Sequence, residues 1–195
     1  MSEWLLFNRH TKDYSRYAEK LRKSVNKLGI PLEMGVMPRT GNWREMCLEK
    51  PVWLREALDL FPGVTVVWVD ADTEFKRLPP AFDNPSHSVM LVQQRGIDLD
   101  CPTCSITLAR NDDDARYVLD RWIANSHLSE PGDNGDEAVI RKLLRSDPSI
   151  ASKVGVLPAE YASHPSMRRR QVRNPVCIMG RAHKMIDPKY LERGR

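Results

Sequence analysis

An α/β architecture with a mainly parallel central sheet is what this 195-residue chain predicts. Runs rich in β-branched and aromatic residues alternate with stretches of helical apolar spacing through the first half, the pattern of crossover-connected parallel strands. One run, Val64-Thr65-Val66-Val67-Trp68-Val69, is almost unbroken in such residues. A strand exposed on one face would alternate with polar residues, so this one belongs in the middle of a sheet covered on both faces.

The elements follow in order. Leu5, Leu6 and Phe7 mark a buried first strand. Tyr14, Tyr17, Ala18, Leu21, Val25 and Leu28 recur at helical spacing until Gly29 stops the pattern. Residues 30–37 read as a second strand, and 43–60 as a helical stretch that Pro51 divides into two short helices. After strand 64–69, Pro79-Pro80 breaks the chain, and 88–92 and 103–109 are further strands. Asn111 is expected to cap a helix whose first turn, Asp112-Asp113-Asp114, suits the positive helix end. Its inward stripe is Ala115, Val118, Leu119, Trp122 and Ile123. A shorter helix over 136–145 and strands at 154–157 and 176–179 complete a more mixed second half.

Composition narrows the function classes. At 41% hydrophobic and 29% charged, the chain is ordinary for a globular protein. It has no apolar stretch near the roughly 20 residues that span a membrane, and its start lacks a signal-peptide core, so a cytoplasmic protein is expected. Four cysteines make no disulfide framework. Cys101-x-x-Cys104 runs into a strand pattern rather than a helix, which argues against a thioredoxin-like site. Residues 168–195 carry nine Lys/Arg against two Asp/Glu, leaving 21 against 24 for the rest. The expected organisation is therefore a domain over 1–167 and a basic segment over 168–195. Such an end suits solvent or an anionic partner: diphosphate, a phosphorylated acceptor or nucleic acid.

Asp70-Ala71-Asp72 directly follows the strongest strand, and ligands of open α/β sheets bind at that edge. Two carboxylates two residues apart in extended backbone share a direction and repel unless a cation lies between them. Oxygen donors of this kind suit Mn²⁺ or Mg²⁺ with phosphates completing the shell. A solvated turn is the plainer reading. Phosphatases of the haloacid-dehalogenase type also carry Asp-x-Asp after an apolar strand, normally the first one. Here Glu74 stands where their Thr or Val belongs, and other elements precede the pair.

Gly41-Asn42-Trp43, Lys50-Pro51, a helix, and then Val66-Val67-Trp68-Val69-Asp70-Ala71-Asp72 resemble the ordered signature of small GT-A-fold nucleotide-sugar glycosyltransferases. The similarity continues through residues 105–111, Asp136-Glu137-Ala138-Val139-Ile140, Leu157-Pro158-Ala159-Glu160-Tyr161 and Pro175-Val176. It implies a GT-A-like, Rossmann-like sheet flanked by helices, and sugar transfer from a nucleotide-diphosphate donor to an acceptor hydroxyl, a modified base in DNA being one option. Three departures stand out. Glu137 replaces a usual Gln, Cys104 and Ser105 replace Ser-Gly, and Cys177, Ile178 and Met179 occupy the region where relatives place a His.

The resemblance also implies roles. Asp72 would bind the metal, Asp70 the metal or the donor's ribose, and His183 would be a third ligand. Arg181 and Lys184 would neutralise the diphosphate, Trp43 and Lys50 would position the donor, and Arg110 would meet its phosphate or sugar. Asn8, Arg9 and Thr11 follow the first strand at the edge that grips the nucleotide. Asp133, Asp136 and Glu137 are the carboxylates expected near the sugar or acceptor hydroxyl, one of them a general base in an inverting enzyme. The competing class is a non-catalytic nucleic-acid-binding module that uses Arg168, Arg169, Arg170 and Arg173.

Overall fold

The computed structural model describes residues 3–93, 103–164 and 171–180. The elements are β1 (Trp4–Thr11), α1 (Ser15–Lys27), β2 (Leu32–Met37), α2 (Trp43–Leu48), α3 (Lys50–Leu60), β3 (Thr65–Val69), β4 (Glu74–Phe75), β5 (Val89–Val92), β6 (Thr103–Ala109), α4 (Asp113–Ala124), α5 (Asp136–Ser146), α6 (Pro148–Ala151), β7 (Val154–Leu157) and β8 (Cys177–Ile178). Short 3-10 turns link several of them.

Six strands form one sheet in the order β2-β1-β3-β6-β5-β7. β1 runs parallel to β2 and β3, and β5 parallel to β7. β6 runs antiparallel to both of its neighbours. The sheet is thus mainly parallel, with β6 alone reversed. Both faces are covered, as the β3 run requires. Val67 and Val69 join Leu6, Leu21, Val25, Ile106 and Phe75 beneath α1, while Val66 and Trp68 join Leu54, Leu58, Leu119, Trp122 and Ile140 beneath α3, α4 and α5.

Local chemistry explains where the elements stop. Gly29, at φ +66°, takes the left-handed turn that ends α1. Ile30 N–H returns to Val25 O, so β2 begins at Leu32 and not at residue 30. Asn42 and Glu45 form a capping box at α2, and Pro51 sits in the first turn of α3, where its missing N–H costs nothing. The expected cap at Asn111 is displaced by one residue: Asp112 accepts from Ala115 N–H and caps α4. Asn111 instead donates to the carbonyls of Leu58 and Phe61 and closes the end of α3. The expected strand at 176–179 shortens to β8, which pairs with β4 in a small second sheet and returns residues 171–180 to the body of the domain. Among the described residues no helix is long and apolar enough to cross a membrane.

Candidate active site

Three elements meet at the C-terminal edge of the parallel strands: the end of β3, the start of α3 and the start of α5. Lys50, the first residue of α3, places Nζ 2.9 Å from Asp70 Oδ1 and 3.6 Å from Asp136 Oδ2. Trp68 Nε1 donates to the same Asp70 oxygen at 2.9 Å. The Trp68 indole is itself fixed by stacking on Trp53, with centroids 5.6 Å apart. Asp136 is only 1% exposed. Among the described residues its Oδ2 has no hydrogen-bond partner, because the Lys50 contact is an ion pair too long to be a hydrogen bond.

The burial of Asp136 follows from how α5 is seated. Trp122 Nε1 donates to Asp136 O at 3.1 Å and draws the first turn inward. Gly135, at φ +56°, lies so close to α2 that a Cβ there would meet Arg44 O and Cys47 Cβ, each at 2.9 Å. Arg44 in turn donates through Nε to Ser129 Oγ at 3.0 Å and through its guanidinium to Ser129 O, tying α2 to the loop before α5. Gly135→Ala is expected to cost about 1–3 kcal/mol by combining left-handed strain with a backbone clash. Denaturant unfolding with the midpoint unchanged would show that α2 and α5 are less tightly packed than this.

Electrostatics set the charge state of this group. Burial alone would lower the Lys50 pKa, but the carboxylates of Asp136 and Asp70 outweigh it and hold the ammonium well above its usual range. Burial pushes Asp136 up to about 7; Lys50 opposes this, and the charges of Glu137 and Asp70 add to it. Cys47 and Cys104 flank the cluster, and burial raises both thiols well above normal, which leaves them inert rather than nucleophilic.

The structure thus brings together Lys50, Asp70 and Asp136, and it separates others from them. Because β6 is reversed, Ala109 pairs with Val66 near the start of β3, so Arg110 stands at the opposite edge of the sheet, paired with Asp112 at 3.2 Å. It therefore lies away from the cluster beside which its contact with the donor is expected. Asp133 accepts from Glu130 N–H at 3.0 Å and closes its own loop. Glu137 is engaged by Cys104 N–H at 3.3 Å and Arg141 at 3.1 Å, which staples α5 to β6. Arg9 points to the other layer from α1, over the Phe7 ring at 4.5 Å and towards Glu33 at 3.5 Å. Asn8 is 1% exposed and donates to Val69 O, so it supports the edge from below. Thr11 ends β1, and Trp43 opens α2 half-buried. Arg181, His183, Lys184 and residues 168–170 lie outside the described residues. Sequence reasoning missed Trp68 and Trp122 as donors to the cluster, and His10, which shares a hydrogen bond with Asn8.

The extended backbone expected to align Asp70 and Asp72 does not reach them. The strand ends at Val69, and Thr73 N–H donates to Asp70 O at 3.0 Å, closing a turn over the pair. Asp70 commits Oδ1 to Lys50 and Trp68. Among the described residues no three His, Cys, Asp or Glu side chains are grouped to hold a metal ion. A donor set of two carboxylates nevertheless fits a hard cation that arrives with phosphate oxygens, since such ions are commonly held by one or two carboxylates plus substrate.

No family model and no curated protein matches the sequence. Solved structures do match the fold. A glycosyltransferase involved in the glycosylation of the major capsid of PBCV-1 superposes with a TM-score of 0.65 at 11% identity, over 91% of this chain and 93% of that one. The glycosyltransferase GlyE of Streptococcus pneumoniae TIGR4 superposes with a TM-score of 0.64 at 10% identity, over 90% of this chain. The match spans 54% of GlyE, about half of its length. At these identities the likeness shows a fold shared with these glycosyltransferases, and the fold alone.

Proposed function

We propose that this chain is a metal-dependent glycosyltransferase that moves a sugar from a nucleotide-diphosphate donor to an acceptor hydroxyl. The observation that carries the reading is the Lys50 ammonium, held between Asp70 and Asp136 at the sheet edge of a fold shared with glycosyltransferases. In the transfer, the C1–O bond to the donor phosphate breaks and a bond from C1 to the acceptor oxygen forms. The hydroxyl proton ends on the departing diphosphate or its solvent.

Negative charge builds on the leaving diphosphate, and fixed positive charge beside it lowers the barrier. Asp70 and Asp72 would hold Mn²⁺ or Mg²⁺, which, when bound, neutralises diphosphate oxygens. Lys50 supplies a second positive charge on the same side. Its direction is set in advance, because Asp70 and Asp136 leave the ammonium little freedom. Asp136 acts through Lys50 in this arrangement, since its carboxylate is sealed from an acceptor.

The test is nucleotide-sugar hydrolysis or transfer with and without Mn²⁺, in wild type and in Asp72→Ala. The rate should require the cation and fall by at least about 100-fold in the variant, the usual scale for losing one charge-stabilising group. A rate indifferent to chelator, or retained by Asp72→Ala, defeats the reading.

A further inference from the structure

α1 distributes its charges differently from α4 and α5. Residues 12–27 hold six Lys/Arg against two Asp/Glu. Arg16, Lys20, Lys23 and Lys27 are all exposed. At about 100° per residue they fall within a strip about 60° wide that runs about 16 Å along the helix. Both acids of this stretch are already engaged: Asp13 with Arg39 at 3.3 Å, Glu19 with Arg22 at 3.4 Å and Lys23 at 3.8 Å. Positive charge is left in excess over the whole face.

A helix that meets only solvent gains from acids in its first turn, where the dipole favours them. α4 has Asp113 and Asp114 there, and α5 has Asp136 and Glu137. α1 has no acid in that turn; Arg16 occupies it, with Lys12 just before. Such an arrangement weakens the helix by itself and is offset when an external anion meets the face.

Apolar surface edges the same face. Arg22 reaches across to β2, its guanidinium 3.7 Å from Met34 Sδ. Leu32 and Met34 pack on the α1 side of the sheet, and Val36, two residues further along that face of β2, is 65% exposed. The one aromatic residue of α1, Tyr17, is buried under Arg16 and Lys20, which sit 4.7 and 5.9 Å from its ring centre. A single nucleic-acid strand would stack on an open ring and has no use for an exposed valine. A bilayer of anionic lipids matches both features. Its headgroups attract clustered Lys and Arg, and the layer beneath them takes a shallow apolar side chain.

We infer that the α1 face docks this chain onto an anionic lipid bilayer, with Arg16, Lys20, Lys23 and Lys27 on the headgroups and Val36 at their margin. α1 follows β1 after one short turn, so the docking face begins at the sheet edge that carries Asp70. A docked chain holds its site beside the membrane surface. The inference stands apart from the sugar-transfer reading, because docking requires no donor.

The test is co-sedimentation of the full chain with vesicles of phosphatidylcholine alone and of phosphatidylcholine mixed with phosphatidylserine. Wild type should bind the mixed vesicles at low salt, leave them at high salt and ignore the neutral ones. One chain carrying Arg16→Gln, Lys20→Gln, Lys23→Gln and Lys27→Gln should bind at least about 100-fold more weakly, at about fivefold per charge. Glutamine keeps the helix propensity of these positions, so the melting temperature should not fall. Val36→Ser should weaken binding about fivefold. Arg168→Gln, Arg169→Gln and Arg170→Gln together should weaken it less than the α1 set. Equal binding to neutral vesicles, affinity unchanged in the four-site variant or in Val36→Ser, or a larger loss from the 168–170 set overturns the inference. So does a wild type that binds a DNA duplex at low salt but no vesicle.

Discussion

Lys50→Met is expected to abolish sugar transfer and to lower the melting temperature by about 10 °C. Removing one partner of a buried ion pair costs about 3–5 kcal/mol, and each kcal/mol shifts a domain of this size by about 2–4 °C. The cost arises because the Asp136 carboxylate stays buried with Oδ2 already lacking a hydrogen bond, while Asp70 loses one of the two donors on Oδ1. Methionine keeps the apolar length of the stem, so the loss reports charge rather than packing. Arginine is no conservative substitute, because its planar fork needs more room than the point charge it replaces. The decisive comparison is Lys50→Met with Asp136→Asn in one chain. Removing both charges should return part of the stability and none of the activity, and the double-mutant cycle isolates the pair. A single variant that melts with the wild type would mean that the ammonium is not confined as described.

Most of the fold was legible because its signals are local. The apolar run of β3, Gly29 at the end of α1 and Pro51 at the start of α3 each act within a few residues. What local patterning cannot carry is strand direction. Periodicity along β6 reads the same whichever way it runs, and the reversed strand carries Arg110 to the edge away from Asp70. Asn111 and Asp112 are both good caps, and only contacts with Leu58 and Phe61, about fifty residues away in sequence, decide between them. The site divides in the same way. Lys50, Asp70 and Asp136 each stood out in sequence, but their meeting depends on tertiary contacts. An acidic helix start normally faces water; here Trp122 and Gly135 draw it inside. The pairing of His10 with Asn8 stayed hidden because Asn8 is oriented by the carbonyl of Val69, on a different strand.

The raised Asp136 pKa makes stability and activity respond to pH in opposite directions. Folding lifts this carboxyl from an ordinary 3.8 to about 7, chiefly by burial. Between those values the native chain binds a proton that the unfolded chain does not, so the stabilisation is complete below the unfolded pKa and is lost as pH rises through the folded one. Wild-type stability measured against Asp136→Asn should therefore fall between about pH 4 and 7, by at most about 1.4 kcal/mol per unit. The amide does not titrate, so its curve should lack this slope. Sugar transfer should move the other way. Only the charged carboxylate pulls on Lys50, and protonation relaxes the grip that aims the ammonium at the leaving group. The wild-type rate should thus climb through about pH 7, and Asp136→Asn should be slow at every pH, with that inflection gone. Denaturant unfolding at several pH values together with rate profiles checks both halves. Parallel stability curves for the two proteins would show that Asp136 is hydrated rather than sealed, and its part in holding Lys50 would have to be given up.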